Sequence, residues 1–126
     1  MKVILAVAAG GAVGAVARYL VMSAVGILLG SGFPYATLTV NVVGSFILGV
    51  IVETAALVWS PGEALRAFLV VGMLGAFTTF STFSLDVAVL YERGALAALA
   101  VYIVVSVTIS IAALFAGLAL VRAIAV

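Results

Sequence analysis

Gly75-Ala76-Phe77-Thr78-Thr79-Phe80-Ser81-Thr82-Phe83-Ser84 is a run of hydroxyls and phenyl rings set inside a long apolar segment. A plain membrane helix would carry aliphatic side chains in those places. An unpartnered hydroxyl is costly in hydrocarbon, so such a cluster must face other protein, an ion or water. It is the candidate functional centre, and its apolar flanks decide the fold.

Those flanks extend the segment to about 64–91, and comparable apolar segments cover about 3–29, 35–58 and 95–122. Short breaks at Gly30–Pro34, Trp59–Glu63 and Glu92–Gly94 separate them. Each reaches the roughly 20 residues that cross about 30 Å of hydrocarbon, which predicts four transmembrane helices in a lipid bilayer with both termini on one side. The expected fold is an all-α integral membrane protein forming one domain over 1–126. Composition agrees: of 126 residues, 68% are apolar and 7% charged, where a soluble domain has about a quarter charged. Met1-Lys2 and the apolar run after it have the outline of a signal peptide, but the run continues to about Leu29. That is longer than a signal core of about 7–15 residues, so the segment is kept as a span.

Several chemistries are excluded by what the chain lacks. With no cysteine and no histidine, it has no disulfide, thiolate nucleophile or imidazole base, none of the usual soft metal ligands, and no candidate set for an enzyme. A net charge of +1 without a basic block gives no footprint for nucleic acid. The phosphate-binding pattern GxxxxGK[ST] is also missing, which argues against ATP as a driver.

The third span holds about 28 residues, roughly 42 Å of helix, and so overshoots the bilayer core. Either tilt or a break absorbs the excess. Gly72 and Gly75 followed by the β-branched pair Thr78-Thr79 predict a helix broken near its middle. Broken helices at membrane depth require protein or an aqueous cavity around them, and their freed carbonyls can coordinate a cation. Beyond the break, Phe80 and Phe83 project from one face, with Ser81, Thr82 and Ser84 on the others. Rings on a membrane helix also pack or face lipid, and taken alone they decide nothing.

The other spans carry polar stripes. Thr37, Asn41 and Ser45 in span 2 are spaced by four residues and share a face. The Asn41 amide offers two donors without a full charge, suited to an anion that must bind and leave; an interhelical hydrogen bond of about 1 kcal/mol is the other reading. Glu53, near the end of that span, is expected to face a vestibule or the headgroups. Span 4 repeats the pattern with Tyr102, Ser106 and Ser110, leading to Ala113 and Gly117; these hydroxyls either complement Asn41 or join helices. Span 1 has a small-residue face of Gly10, Gly11 and Gly14, suited to close packing, followed by Arg18. Arg18 lies about 15 residues, or roughly 22 Å, beyond Val3, where a guanidinium can snorkel to the far interface or lend positive potential to a pore mouth.

Charge hardly orients the chain. Lys2, Arg66 and Arg122 fall on the side of the termini, and Arg93 with Arg18 on the other. So small a bias allows insertion both ways, and oppositely oriented copies can pair about a two-fold axis in the membrane plane.

Taken together, Gly10-Gly11-Ala12-Val13-Gly14-Ala15-Val16-Ala17-Arg18-Tyr19, Thr37-Leu38-Thr39-Val40-Asn41-Val42-Val43-Gly44-Ser45-Phe46 and Gly75 through Phe83 closely resemble the three signatures of the Fluc/CrcB fluoride channels. The resemblance runs along essentially the whole chain. It implies a passive fluoride channel in a bacterial or archaeal-type plasma (inner) membrane, built as an antiparallel, dual-topology homodimer with two pores. By position, Asn41, Phe80, Phe83, Ser81, Thr82 and Tyr102, with Ser106 on the same stripe as Tyr102, would line or shape the pore. Arg18 would sit near a pore entrance. The carbonyls of Gly75 and Thr78 from both copies would hold a structural Na⁺ at the dimer centre. Two departures fall at Ala76 and Ala36, where the family often has glycine. A small proton-coupled drug exporter shares the layout but needs a carboxylate in span 1, which here has only Arg18, while Glu53 and Asp86 lie elsewhere. A structural subunit of a membrane complex is a further alternative, and it predicts no ion flux by the purified protein.

Overall fold

The computed structural model describes residues 1–125. Helix α1 spans Lys2–Leu29 and α2 Tyr35–Leu57. The third span opens with α3 (Glu63–Arg66), continues as a π-helix, π1, over Ala67–Leu74 and the short α4 (Gly75–Phe77), and closes with α5 (Phe80–Glu92). Helix α6 (Leu96–Ala125) follows. Four stretches, Lys2–Leu29, Tyr35–Leu57, Glu63–Glu92 and Leu96–Ala125, are long and apolar enough to cross a membrane, as the hydropathy pattern predicts. The chain is an all-helical, multi-pass membrane protein.

Backbone chemistry sets the ends of these helices. Gly30 adopts φ 78° after α1, a conformation that glycine reaches without steric cost. Pro34 precedes α2; at a helix start its missing N–H leaves no bond unmade. Gly94, at φ 71°, turns the chain from α5 into α6. At that end of the bundle Arg93 donates to the Gly32 carbonyl at 3.4 Å, tying the α1–α2 loop to the α5–α6 turn. At the opposite end Arg122 of α6 forms an ion pair with Glu53 of α2. Glu53 is buried instead of facing a vestibule or headgroups, because Arg122 provides its counter-charge within the fold.

Helix contacts are made where side chains are absent. Along α2 and α6, a Cβ on Gly49 would lie 2.3 Å from the Leu114 carbonyl oxygen, and one on Gly117 2.3 Å from that of Phe46. Between α1 and π1, a Cβ on Gly10 would come within 2.2 Å of the Phe68 oxygen and one on Gly14 within 2.0 Å of the Met73 oxygen. The small-residue face of span 1 therefore lies directly against the third span, backbone on backbone. Val40, Leu74, Phe77, Leu90 and Tyr102 form a narrow buried core. Side chains such as Ile4, Ile27, Leu28 and Phe115 point outward, as they must in a helix surrounded by lipid or by another membrane helix.

Candidate functional site

The middle of the third span departs from the helical ladder in two ways. Within π1 the bonds reach one residue further than in an α-helix: the Gly75 N–H approaches the Val70 carbonyl, five residues back. After α4 the chain runs extended for two residues, with Thr78 at φ −85°, ψ 160° and Thr79 at φ −153°, ψ 120°. Extended backbone in hydrocarbon is tolerated only when its polar groups find partners in the protein. Here the partners come from three elements. The Thr79 N–H donates to Asn41 Oδ1 at 2.8 Å, and Asn41 Nδ2 donates back to the Thr79 carbonyl at 3.0 Å. Arg18 Nε donates to the Ala76 carbonyl at 2.9 Å. Thr79 caps α5, its Oγ1 accepting from the Thr82 N–H at 3.1 Å.

These bonds have a consequence for two carbonyls. In an unbroken α-helix the Gly75 oxygen would accept from Thr79 and the Thr78 oxygen from Thr82. Both N–H groups are engaged elsewhere, so the Gly75 and Thr78 carbonyls are released from the ladder.

Beside this segment lies an open cavity of about 450 Å³. Its walls are Asn41, Gly44, Ser45 and Leu48 from α2, Val70, Leu74, Gly75, Thr78 and Thr79 from the third span, Phe80 and Phe83 from α5, and Ser106, Val107, Ser110 and Ile111 from α6. The hydroxyls of Ser106 and Ser110 are buried and have no hydrogen-bond partner among the described residues. A helical serine commonly bonds the carbonyl four residues back; these two instead keep a donor free at the cavity wall.

Residues 5–118 match the family described as CrcB-like protein, Camphor Resistance (CrcB). The chain belongs to the CrcB-like family. A Rhodospirillum centenum protein named Fluoride-specific ion channel FluC is 61% identical to it over 122 residues, covering 97% of each chain. Proteins of the same name from Nitrobacter winogradskyi (54% identical, 96% of each chain) and Agrobacterium fabrum (55% identical, 92% of this chain and 93% of the other) are similar along nearly their whole lengths.

In this CrcB-like chain Asn41, Phe80, Phe83, Ser106, Gly75 and Thr78 come together around one cavity. Ser81, Thr82, Tyr102 and Arg18 are not part of its wall. Ser81 is exposed, its Oγ 3.4 Å from Thr79 Oγ1, and the Thr82 backbone serves the α5 cap. Tyr102 is fully buried behind Phe83, ring centroids 5.1 Å apart, and its hydroxyl donates to Asp86 Oδ2 at 2.8 Å. Arg18 points across to Ala76 in the third span, while α1 continues past it to Leu29. Its Nε–H is taken up within the fold by the carbonyl exposed after α4.

The phenyl pair belongs to a longer series. Phe80 and Phe83 are 5.5 Å apart at an interplanar angle of 43°, Phe83 meets Tyr102 at 42°, and Phe33 meets Tyr102 edge-on at 5.5 Å and Tyr35 at 4.9 Å. The CrcB-like chain thus has a file of rings from the cavity to the α1–α2 loop. Phe33 carries no sequence signal for this place. Asp86 does, as an ionisable residue in an apolar span, but its partner lies on the next helix.

Proposed function

We propose that this CrcB-like chain is a passive, fluoride-selective channel that lets cytoplasmic fluoride leave the cell across the plasma (inner) membrane and so relieves its toxicity. The observation that carries this reading is the chemistry of the cavity wall. It presents Asn41, Ser45 and the free hydroxyls of Ser106 and Ser110 opposite two tilted phenyl rings, and none of its side chains is charged. Fluoride is small and strongly hydrated. A selective path must replace water with donors while avoiding a fixed cation that would hold the ion too tightly. Ring edges carry partial positive charge and ring faces negative, so the edges of Phe80 and Phe83 can accompany the ion where no hydroxyl reaches. The relatives that share 54–61% of their residues with this chain and are named fluoride-specific ion channels support the choice of anion.

Release needs no coupled energy source. A membrane potential negative inside favours exit of an anion by about 2.3 kcal/mol per charge per 100 mV.

The third span works in this reading as a broken helix, and the channel as an antiparallel, dual-topology homodimer with two pores. The near balance of Lys2, Arg66 and Arg122 against Arg93 and Arg18 supports insertion in both orientations. The free carbonyls of Gly75 and Thr78 suit a hard monovalent cation, and no cluster of acidic, histidine or cysteine ligands competes with them among the described residues. A Na⁺ held by these oxygens from two copies satisfies the open backbone and adds positive potential beside the pores. Asn41 orients the Thr79 backbone beside that cradle and Tyr102 backs the Phe83 ring. Ser81 and Thr82 shape the pore from α5, and Arg18 stands toward its entrance.

Efflux from liposomes containing the purified protein, with fluoride and chloride compared, tests this function. Fluoride should leave rapidly and chloride should stay; equal flux of both ions, or none, overturns the channel.

A further inference from the structure

We propose that Arg18 is a positioning residue, whose Nε–H fixes the Ala76 carbonyl and thereby holds open the carbonyl pair of Gly75 and Thr78. As to the cation, the inference rests on the reading of that pair as a Na⁺ cradle.

Arg18 Nε and the Ala76 oxygen are 2.9 Å apart in a partly buried site, joining residues 58 positions apart in the chain. The partnership has a reason on each side. At membrane depth a guanidinium requires acceptors, and a carbonyl outside the helical ladder requires a donor. Ala76 has such a carbonyl, because Phe80, whose N–H would close an α-helical bond onto it, is instead the first residue of α5. The tether is also rigid at its base. Gly10 and Gly14 hold α1 against π1 with no room for a Cβ, so the segment carrying Arg18 has no slack relative to the third span.

On the far side of the extended pair, Asn41 grips Thr79 through two bonds. The two-residue gap is therefore clamped at both ends, by α1 at Ala76 and by α2 at Thr79. Thr78, between the clamps, keeps a free carbonyl. In this arrangement Arg18 acts through a directional donor at Nε. A pore-mouth role would instead need only a positive charge.

Two substitutions separate the donor from the charge. Glutamine places an N–H at the same number of bonds from Cα as arginine Nε, without the charge. Lysine keeps the charge and puts a methylene at that position. The purified wild-type protein and its Arg18→Gln and Arg18→Lys variants are unfolded by heat across a NaCl series balanced with choline chloride. The Na⁺ concentration that gives half of the maximal stabilisation is then read for each.

Arg18→Gln should stay within about twofold of wild type, and Arg18→Lys should need on the order of tenfold more Na⁺, as expected for loss of one directional hydrogen bond. Assembly of the glutamine variant but not the lysine variant supports the tether equally. A lysine variant that matches wild type overturns it, as does a glutamine variant shifted or misassembled as badly as the lysine one. Should wild type show no response to Na⁺, the cation reading fails on its own. The tether is then judged by the melting temperatures without Na⁺: glutamine above lysine supports it, and lysine equal or higher overturns it.

Discussion

Asn41 and Thr79 exchange two hydrogen bonds, side-chain amide against main-chain peptide, at 2.8 and 3.0 Å. Neighbouring antiparallel strands pair in the same way, so one side chain of α2 does what a neighbouring strand would do, where the described residues form only helices.

Aspartate at this position keeps the shape and one acceptor but loses the donor, leaving a carboxylate oxygen against the Thr79 carbonyl. Asn41→Asp should therefore lower stability by about 2 kcal/mol and cut fluoride efflux by tenfold or more. Thermal unfolding and liposome efflux read the two effects. Wild-type values in both would show that the paired bonds are dispensable.

Close approach of α1 to π1 makes a second, purely steric expectation. Gly14→Ala introduces a Cβ 2.0 Å from the Met73 oxygen, whereas the same change at Gly11 meets nothing within 4 Å. Gly14→Ala should destabilise by about 1–3 kcal/mol through overpacking against backbone that cannot yield. Gly11→Ala should remain within about 0.5 kcal/mol of wild type. Thermal unfolding of the two variants side by side provides the comparison.

The Tyr102 hydroxyl and the Asp86 carboxylate form a third testable pair. Tyr102→Phe keeps the ring beside Phe83 and removes the donor, so a carboxylate inside the span loses its partner. Asp86→Asn keeps an acceptor for the hydroxyl and removes the charge. Phenylalanine should thus cost more stability than asparagine, by about 1 kcal/mol, and a double-mutant cycle should show that the two positions couple. Additive effects would mean the bond contributes little.

Glu53 is 8% exposed, while the side chain of its partner Arg122 is 60% exposed. Removing the arginine strands a buried carboxylate; neutralising the glutamate leaves an arginine that water or headgroups can serve. Arg122→Met should therefore be more destabilising than Glu53→Gln, with about 1–3 kcal/mol for the stranded carboxylate. The double substitution should recover part of that loss. Chemical or thermal unfolding in detergent checks the order.

The four spans were legible because their cause is local: each is an apolar run of sufficient length, and Gly30, Pro34 and Gly94 mark their ends. The grouping of Asn41, Phe80, Phe83 and Ser106 was legible too, since polar stripes on separate spans have few places to go except toward one another. Partners that are main-chain atoms left no trace in the sequence. Nothing about Ala76 announces an acceptor for Arg18, and nothing about Thr79 announces both a donor and an acceptor for Asn41. The π turns of Ala67–Leu74 are likewise invisible, because AFLVVGML is as apolar as any α-helical segment and its departure lies in the bonding ladder. Tyr102 and Asp86 each stood out, but their pairing depends on how α6 docks on α5.

The π turns also give the third span slack in its length. A π segment accommodates more residues in each turn than an α-helix, so π1 stores surplus chain between Arg66 and Gly75. Deleting Val71, an outward-facing residue at 60% exposure, would let the ladder close to α and leave the chain beyond it near its present phase. Thr79 would then stay within reach of Asn41, and Ala76 beside Arg18. A similar deletion at Val43 of α2, also outward-facing, has no surplus turn to draw on and would rotate Gly44, Gly49 and Glu53 by about 100° away from their contacts. Tolerance of this protein to a one-residue deletion should therefore be greater in π1 than in α2.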